Sequence, residues 1–395
     1  MLKALITDAS FRQALTVIRS LGKRHIFTAA VAATKERNID ILGFHSKYCG
    51  AKLFMPSYRE NDEAFCDNIF KIAKDFDVLI PISTQAILAV AKRLERFRQI
   101  TNVAIPDYET VCRANCKDKL IRIAREVGIC VPQTIYIEDL SELGGLAERL
   151  SYPAVVKYRS DQDLYFSPVD RYAIVDSKEQ FLKVYQRMHQ IQAFPLVQEY
   201  IQGTGYGFFA LLDRNVQAKA IFCHRRVREY PVTGGVSSCC VSIRDEILIE
   251  QGLRLLKALN WYGVAMVEFK KDLRDGKFKL MEINPRFWGS LPLSIESGVD
   301  FPYLLFKVAR GEDFEPVMKY KLGVKLRFLC LDFFSAKDSL LNNKLSSLGS
   351  FLKDILDPRI KDGIFSLDDP KAGLIYLAKY LPMYLGRIKT KNVNF

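Results

Sequence analysis

Four residues late in the main body, Glu268, Glu282, Asn284 and Arg286, are spaced for chemistry on anions. The stretch from Met266 to Gly289 reads as two strands around a turn, with Gly276 supplying the φ > 0 position that such turns need. If Arg274, Asp275 and Gly276 form the loop, Glu268 lies directly across from Glu282. Residues so opposed sit about 4.5–5.5 Å apart at Cβ, where two carboxylates repel unless a cation lies between them. A period of two along the second strand puts Glu282, Asn284 and Arg286 on one face and Met281, Ile283 and Pro285 on the other. Two carboxylates and an amide oxygen are hard donors suited to a Mg²⁺ ion that keeps room for phosphate oxygens, and Arg286 can meet developing negative charge.

Cations come from upstream. Lys117 to Gly128 is helix-like, with Leu120, Ile123, Ala124 and Val127 as its apolar stripe, Gly128 as its stop and Lys119 at its start. Tyr152 to Tyr158 reads as a buried strand that delivers Lys157 at its end, and Phe194 to Gly203 as a strand entering a glycine turn. In the basic patch His224–Ser238, strand alternation places His224, Arg226 and Arg228 on one face.

In order and spacing these segments resemble the ATP-grasp superfamily, in particular relatives of the carbamoyl phosphate synthetase large chain and the carboxylate–amine ligase branch. The resemblance spans roughly residues 1 to 315 and is strongest from 117 to 290. It implies an α/β chain whose ATP-grasp fold, two α+β subdomains gripping ATP, follows a Rossmann-like parallel-sheet domain. It assigns Glu268, Glu282 and Asn284 to Mg²⁺ or Mn²⁺, Arg286 to the transferring phosphoryl group, and Lys119 and Lys157 to nucleotide phosphates. Gln198, Glu199 and Ile201 match the hinge that pairs with adenine, Gln198 standing where many members carry Glu. The resemblance also sets the strand of Arg226 and Arg228 beside the γ-phosphate, so either arginine becomes a clamp on phosphate or on the substrate carboxylate. One departure is plain: Tyr158–Tyr172, where members usually carry a glycine-rich lid, contains no glycine. Closure then falls to Ser160, Ser167 or Arg171, or turnover is weaker than in typical members.

The elements that position these residues can be read coarsely. Leu2–Thr7 is a short strand, Phe11–Leu21 an amphipathic helix capped by Ser10, and Asp77–Ile82 a strand followed by a helix from Thr84. Alternating strand and helix argues for a parallel sheet. No Gly-x-Gly-x-x-Gly follows the first strand, which argues against a dinucleotide. Asp8, Ser10, Ser83 and Thr84 close these strands, as helix caps or as groups facing a substrate. The expected domains are a Rossmann-like 1–110, a small ATP-grasp subdomain 111–192, a large one 193–315 with the metal site, and a basic, largely helical appendix 316–395.

With 395 residues and 49% hydrophobic content the chain can bury sizeable cores. Its 58 Lys and Arg against 45 Asp and Glu give +13, a balance that favours anionic partners. No apolar run nears the ~20 residues of a membrane span and the first residues enter a strand directly, so a cytoplasmic protein is expected. Nine cysteines lack any Cys-x-x-Cys pair, against a zinc site. In the appendix, Leu374, Leu377, Leu381, Leu385 and Ile388 recur at helical spacing among basic residues. That stripe either packs on the body or a partner subunit, or rests peripherally on the anionic inner membrane surface through 372–391. The expected activity is ATP-dependent joining of a small carboxylate to an amine, giving ADP and phosphate, in a chain that could form homo-oligomers. A carboxylase or carbamate-phosphorylating enzyme, or a catalytically weak nucleotide-binding protein on an anionic surface, is the alternative, and nucleic acid ranks last.

Overall fold

The computed structural model describes residues 1–37, 39–160, 171–232, 235–341 and 345–384. Its N-terminal sheet is parallel, with strands β1 (Lys3–Ile6), β2 (Phe27–Ala33), β3 (Cys49–Met55) and β4 (Val78–Ile80) in the order β3-β2-β1-β4. These runs are almost wholly apolar because helices cover both faces of such a sheet. Helix Thr84–Ala91 starts as expected, with Ser83 accepting the Ala86 N–H at 3.1 Å. The preceding helix, Arg12–Gly22, differs from expectation. Phe11 is its N-cap and no side chain caps it, because the Ser10 hydroxyl donates to Glu36 at 2.8 Å instead.

A small antiparallel sheet follows, β5 (Thr134–Ile135), β6 (Ala154–Lys157), β7 (Tyr172–Val175) and β8 (Leu196–Glu199), ordered β5-β8-β6-β7. Strand β8 lies beyond the expected boundary at 193 yet pairs within this sheet. The large sheet contains β9 (Gly203–Leu212), β10 (Ala218–Tyr230), β11 (Val236–Ile243), β12 (Gly263–Asp272), β13 (Phe278–Asn284), β14 (Lys325–Arg327) and β15 (Lys361–Asp362), in the order β13-β12-β9-β10-β11-β14-β15. Its last two strands come from the appendix, which is therefore part of the sheet as well as helical.

Both faces of the large sheet are buried, and the period of two sorts them. Phe209, Leu211, Val264, Met266, Ala220 and Phe222 join a core shared with the N-terminal domain. Phe208, Ala210, Ala265, Val267 and Phe269 join a second core beneath helix Glu246–Ala258. Each of the larger side chains among them contributes roughly 1.5–3 kcal/mol on burial. Continuing the alternation past Met266 carries Glu268 onto the side of the N-terminal domain.

Appendix helices Leu329–Leu341 and Leu345–Ile355 and the last helix, Pro370–Tyr384, fold back on the body. Arg19 bonds Asp369 through Nε at 2.8 Å, the Asp369 carbonyl at 2.7 Å and the Ile364 carbonyl at 2.6 Å. Ser46 and the Lys47 amide complete the grip on Asp369. In the last helix Ala372 is fully buried, Leu377 packs by Cys330 and Phe334, and Leu374 is 58% exposed. Where described, the helix therefore packs on the body; Leu385 and Ile388 lie outside the described residues. No described helix is long and apolar enough to cross a membrane.

Candidate active site

The hairpin β12–β13 pairs Glu268 with Glu282, as the spacing predicts, but the route to that register is longer. At the tip Asp272 bonds Lys277, so the loop carries four residues, Leu273 to Gly276, with Gly276 at φ 68°. A bulge follows: Phe269 pairs with Leu280 and Glu268 with Glu282, leaving Met281 as the extra residue. The two offsets cancel, and Glu282, Asn284 and Arg286 lie along one face. Asn284 Nδ2 donates to Glu282 Oε1 at 2.9 Å, and Arg286 Nη2 donates to Asn284 Oδ1 at 2.9 Å.

Arg226 of β10 meets this face. Its Nη2 lies 2.7 Å from Glu268 Oε1, and its Nη1 donates to the Gly235 carbonyl at 2.9 Å. Burial works against the Arg226 charge, yet Glu268, Glu229 and Glu282 hold the guanidinium firmly protonated. Glu268 itself is pushed up to about 7, by burial first and then by Glu282 and Glu229 against the pull of Arg226. Burial would raise Glu282 too, but Lys117, Arg171, the Asn284 amide and Lys157 hold it below the ordinary carboxylate value. The facing pair is thus held apart in proton affinity, and a cation placed between the two would relieve the repulsion.

Lys157 stands at the end of β6, as expected, and is lowered to about 8 by burial and by Lys117, opposed by Glu282 and Glu268. Lys119 is exposed at the start of helix Lys117–Glu126, and the lysine whose charge reaches Lys157 and Glu282 is Lys117. Arg286 is lowered to about 10 by burial and by Arg171 and Arg12. The short range of these influences gathers Arg12, Lys117 and Arg171 from distant parts of the chain around the hairpin.

The segment expected to form the hinge is the end of β8 and the turn after it, with its side chains turned to structural duty. Gln198 is buried and its Nε2 donates to Thr134 Oγ1 at 2.9 Å. Glu199 accepts the Gln133 N–H at 2.9 Å and pairs with Arg274 at 2.7 Å. The buried Ile201 offers its carbonyl to Lys270 Nζ at 3.2 Å.

Arg228 departs furthest from expectation. Arg226 pairs with Cys240 and Arg228 with Cys239, so Val227 is bulged out and Arg228 turns to the opposite face of the sheet. There its Nε and Nη2 grip Asp332 at 2.8 and 2.7 Å, and its Nη1 binds Asp354 at 2.7 Å and Ser350 at 2.8 Å. A side chain so occupied is an anchor for the appendix and not a substrate clamp. Alternation then returns Glu229 to the site face, and the second shift, between Arg228 and Glu229, places its extra residue, Ser238, on β11. His224 is neutral, lowered to about 3 by burial and by Arg226, with Nδ1 3.1 Å from Ser290 Oγ. Of the residues that sequence missed, Glu229 could have been sought as an acid inside a basic strand, whereas Lys117 and Arg12 carry no local signal; Arg171, read from sequence only as a lid residue, also acts on Glu282.

Among the described residues no three His, Cys, Asp or Glu side chains form a metal cluster. The donor set is instead two carboxylates and an amide oxygen, which fits a hard ion completed by oxygens from elsewhere. Of the lid, Arg171 acts on the hairpin, Ser160 bridges to Cys116, and residues 161–170, with Ser167, lie outside the described residues.

Residues 195–329 match the family model described as ATP-grasp in the biosynthetic pathway with Ter operon. The carbamoyl phosphate synthase large chain of Methanoregula boonei is 21% identical over 273 residues, 62% of this chain and 25% of that protein. A D-aspartate ligase of Enterococcus faecium is 23% identical over 193 residues, 46% of each chain. The chain spans 25%, 30% and 51% of the length of three carbamoyl phosphate synthase relatives. In fold it is similar to the Campylobacter jejuni biotin carboxylase solved as a β,γ-ATP complex, with a TM-score of 0.64, 17% identity and coverage of 82% of this chain and 74% of that one. It is equally similar to the Staphylococcus aureus N5-carboxyaminoimidazole synthetase complexed with ADP, with a TM-score of 0.64, 14% identity, and coverage of 82% and 80%. The chain has the ATP-grasp fold behind a parallel-sheet domain, as its motifs led one to expect.

Proposed function

We propose that this ATP-grasp chain is a ligase that joins a carboxylate to an amine at the expense of ATP. One observation carries the reading: Glu268 and Glu282 face each other with Asn284 and Arg286 on the same side, and the charges of Arg226, Lys157 and Lys117 converge on them. Glu268, Glu282 and Asn284 would hold Mg²⁺ or Mn²⁺, which when bound neutralises phosphate charge and orients the transferring group. Lys157, aided by Lys117 or Lys119, binds nucleotide phosphates as a point charge, and the hinge at Gln198–Ile201 borders the base. Arg286 and Arg226 stabilise charge on the phosphoryl group as it moves. The substrate carboxylate oxygen attacks the γ-phosphorus and ADP leaves. The amine nitrogen then attacks the acyl carbon, phosphate departs with the C–O bonding pair, and the amine proton passes to solvent. No nucleophilic side chain is required.

Incubation with Mg-ATP and pooled amino acids, small peptides and amines, read by mass spectrometry, tests this. A condensed product with stoichiometric ADP is expected. ATP consumption that depends on bicarbonate and yields no condensed product would overturn it.

A further inference from the structure

Beyond the carboxyl ends of β1, β2 and β3 lies a cavity of about 360 Å³, and the last helix forms one of its walls. Its size is that of a pocket for a compact organic molecule. At its edge Asp8 has φ 56°, a left-handed conformation that costs a non-glycine residue free energy. Tyr58 Oη at 2.6 Å, the Ser83 N–H at 3.2 Å and the Thr7 hydroxyl hold it there. Backbone strain held in place by its surroundings clusters at ligand sites.

The charged walls are unequal. Glu36 accepts from Ser10 and from the Ala33 N–H, Asp40 pairs with His45, and Asp8 is held as described, so all three carboxylates already have donors. Facing them are Arg12, Lys35, Arg59 and Lys379. Lys35 is tied to Glu60 at 3.0 Å, whereas Lys379 forms no ion pair among the described residues. Helix Arg12–Gly22 opens on the cavity with Phe11 as its N-cap and no side-chain cap, leaving the positive end of its dipole to whatever binds. The other walls are apolar or aromatic: Phe11, Tyr58 and Phe65 from the N-terminal domain, Ile375 and Tyr376 from the last helix.

We infer that this cavity binds a small organic acid with an aromatic-sized apolar body, its anion met by Arg12, Arg59 and Lys379 and its body held between the N-terminal domain and Tyr376. Arg12 joins the cavity to the hairpin site, since a side chain at Gly289 would collide with its guanidinium three residues beyond Arg286. Resting on the ligase reading, the acid is the carboxylate that becomes activated, and the appendix takes part in choosing it.

Titration calorimetry with phenylacetate, and with phenylacetamide as its uncharged isostere, tests the assignment in the absence of nucleotide. Saturable binding of the acid is expected, with the amide about tenfold weaker. Lys379→Met and Tyr376→Ala should each weaken the acid severalfold and leave Mg-ATP affinity unchanged. Lys379 is exposed, so its variant keeps the test valid if Tyr376→Ala does not fold. Equal binding of acid and amide, no saturable binding, or acid affinity indifferent to Lys379→Met would overturn the inference. Binding of the acid without any condensed product would instead sink the ligase reading and leave the cavity's ligand standing.

Discussion

Arg226 and Arg228 are two residues apart on one strand and live in opposite electrostatic worlds. Arg226 joins Glu268, Glu282 and Glu229, more carboxylate than one guanidinium neutralises, and Glu268 is driven up to about 7 by burial and by its acidic neighbours. Arg228 is 1% exposed with Asp332 at 0%, and every arm of its fork meets a carboxylate or hydroxyl at 2.7–2.8 Å. Lys325 adds a second cation 2.8 Å from Asp354, and Ser238 donates to Asp332 at 2.9 Å. The satisfied cluster is a structural knot between sheet and appendix. The frustrated one has charge left over, which is what a site awaiting a cation and a polyanion requires.

The comparison can be broken at four points. Removing Arg228 should be the costliest for the fold: Arg228→Met leaves the buried Asp332 without its cation and Asp354 with Lys325 alone, and should destabilise by about 3–5 kcal/mol, seen as a lower denaturant midpoint. A variant as stable as the parent would show that the knot does not hold the appendix. At the other cluster, Glu282→Gln should cut Mg-dependent ATP consumption on the order of 100-fold or more, with an unchanged melting temperature. If the fold suffered and turnover did not, the two clusters would have been assigned the wrong way round. A smaller effect is expected for Lys157→Ala, whose nucleotide affinity should fall about tenfold while the exposed control Lys353→Ala matches the parent. Equal affinities by calorimetry would remove Lys157 from the site.

The smallest effect is one of pH. Burial tends to raise Asp354, but hydrogen bonds from Lys325 and Arg228 hold it below its usual 3.8. A carboxyl lowered on folding stabilises above its unfolded pKa, and that stability is lost as pH falls through the folded one. Thermal melts should therefore decline below about pH 4, and Asp354→Asn should flatten that decline. An unaltered acid slope would mean that the knot does not depend on this charge.

Much of the site could be read along the chain because backbone periodicity is local. A glycine turn and an alternation of two place Glu268 and Glu282 on one hairpin with Asn284 and Arg286 on one face, and a buried strand ending in Lys157 needs only its own residues. The same rule fails wherever the ladder takes an extra residue. Val227 bulges, so Arg228 leaves the face that alternation gave it; Met281 bulges as well, and Glu282 keeps its place only because the hairpin loop is one residue longer than read. Neither bulge is written in residue type, since each is fixed by what the strand packs against. The partners of Arg228 lie 104 and 126 residues further on, and Arg12 reaches the hairpin from the opening helix. The sequence by itself determined which groups could carry phosphate chemistry and in what order they come. Which arginine faces it, which lysine approaches it and what the appendix covers were decided by tertiary packing, because those choices depend on contacts between segments whose separation no local pattern records.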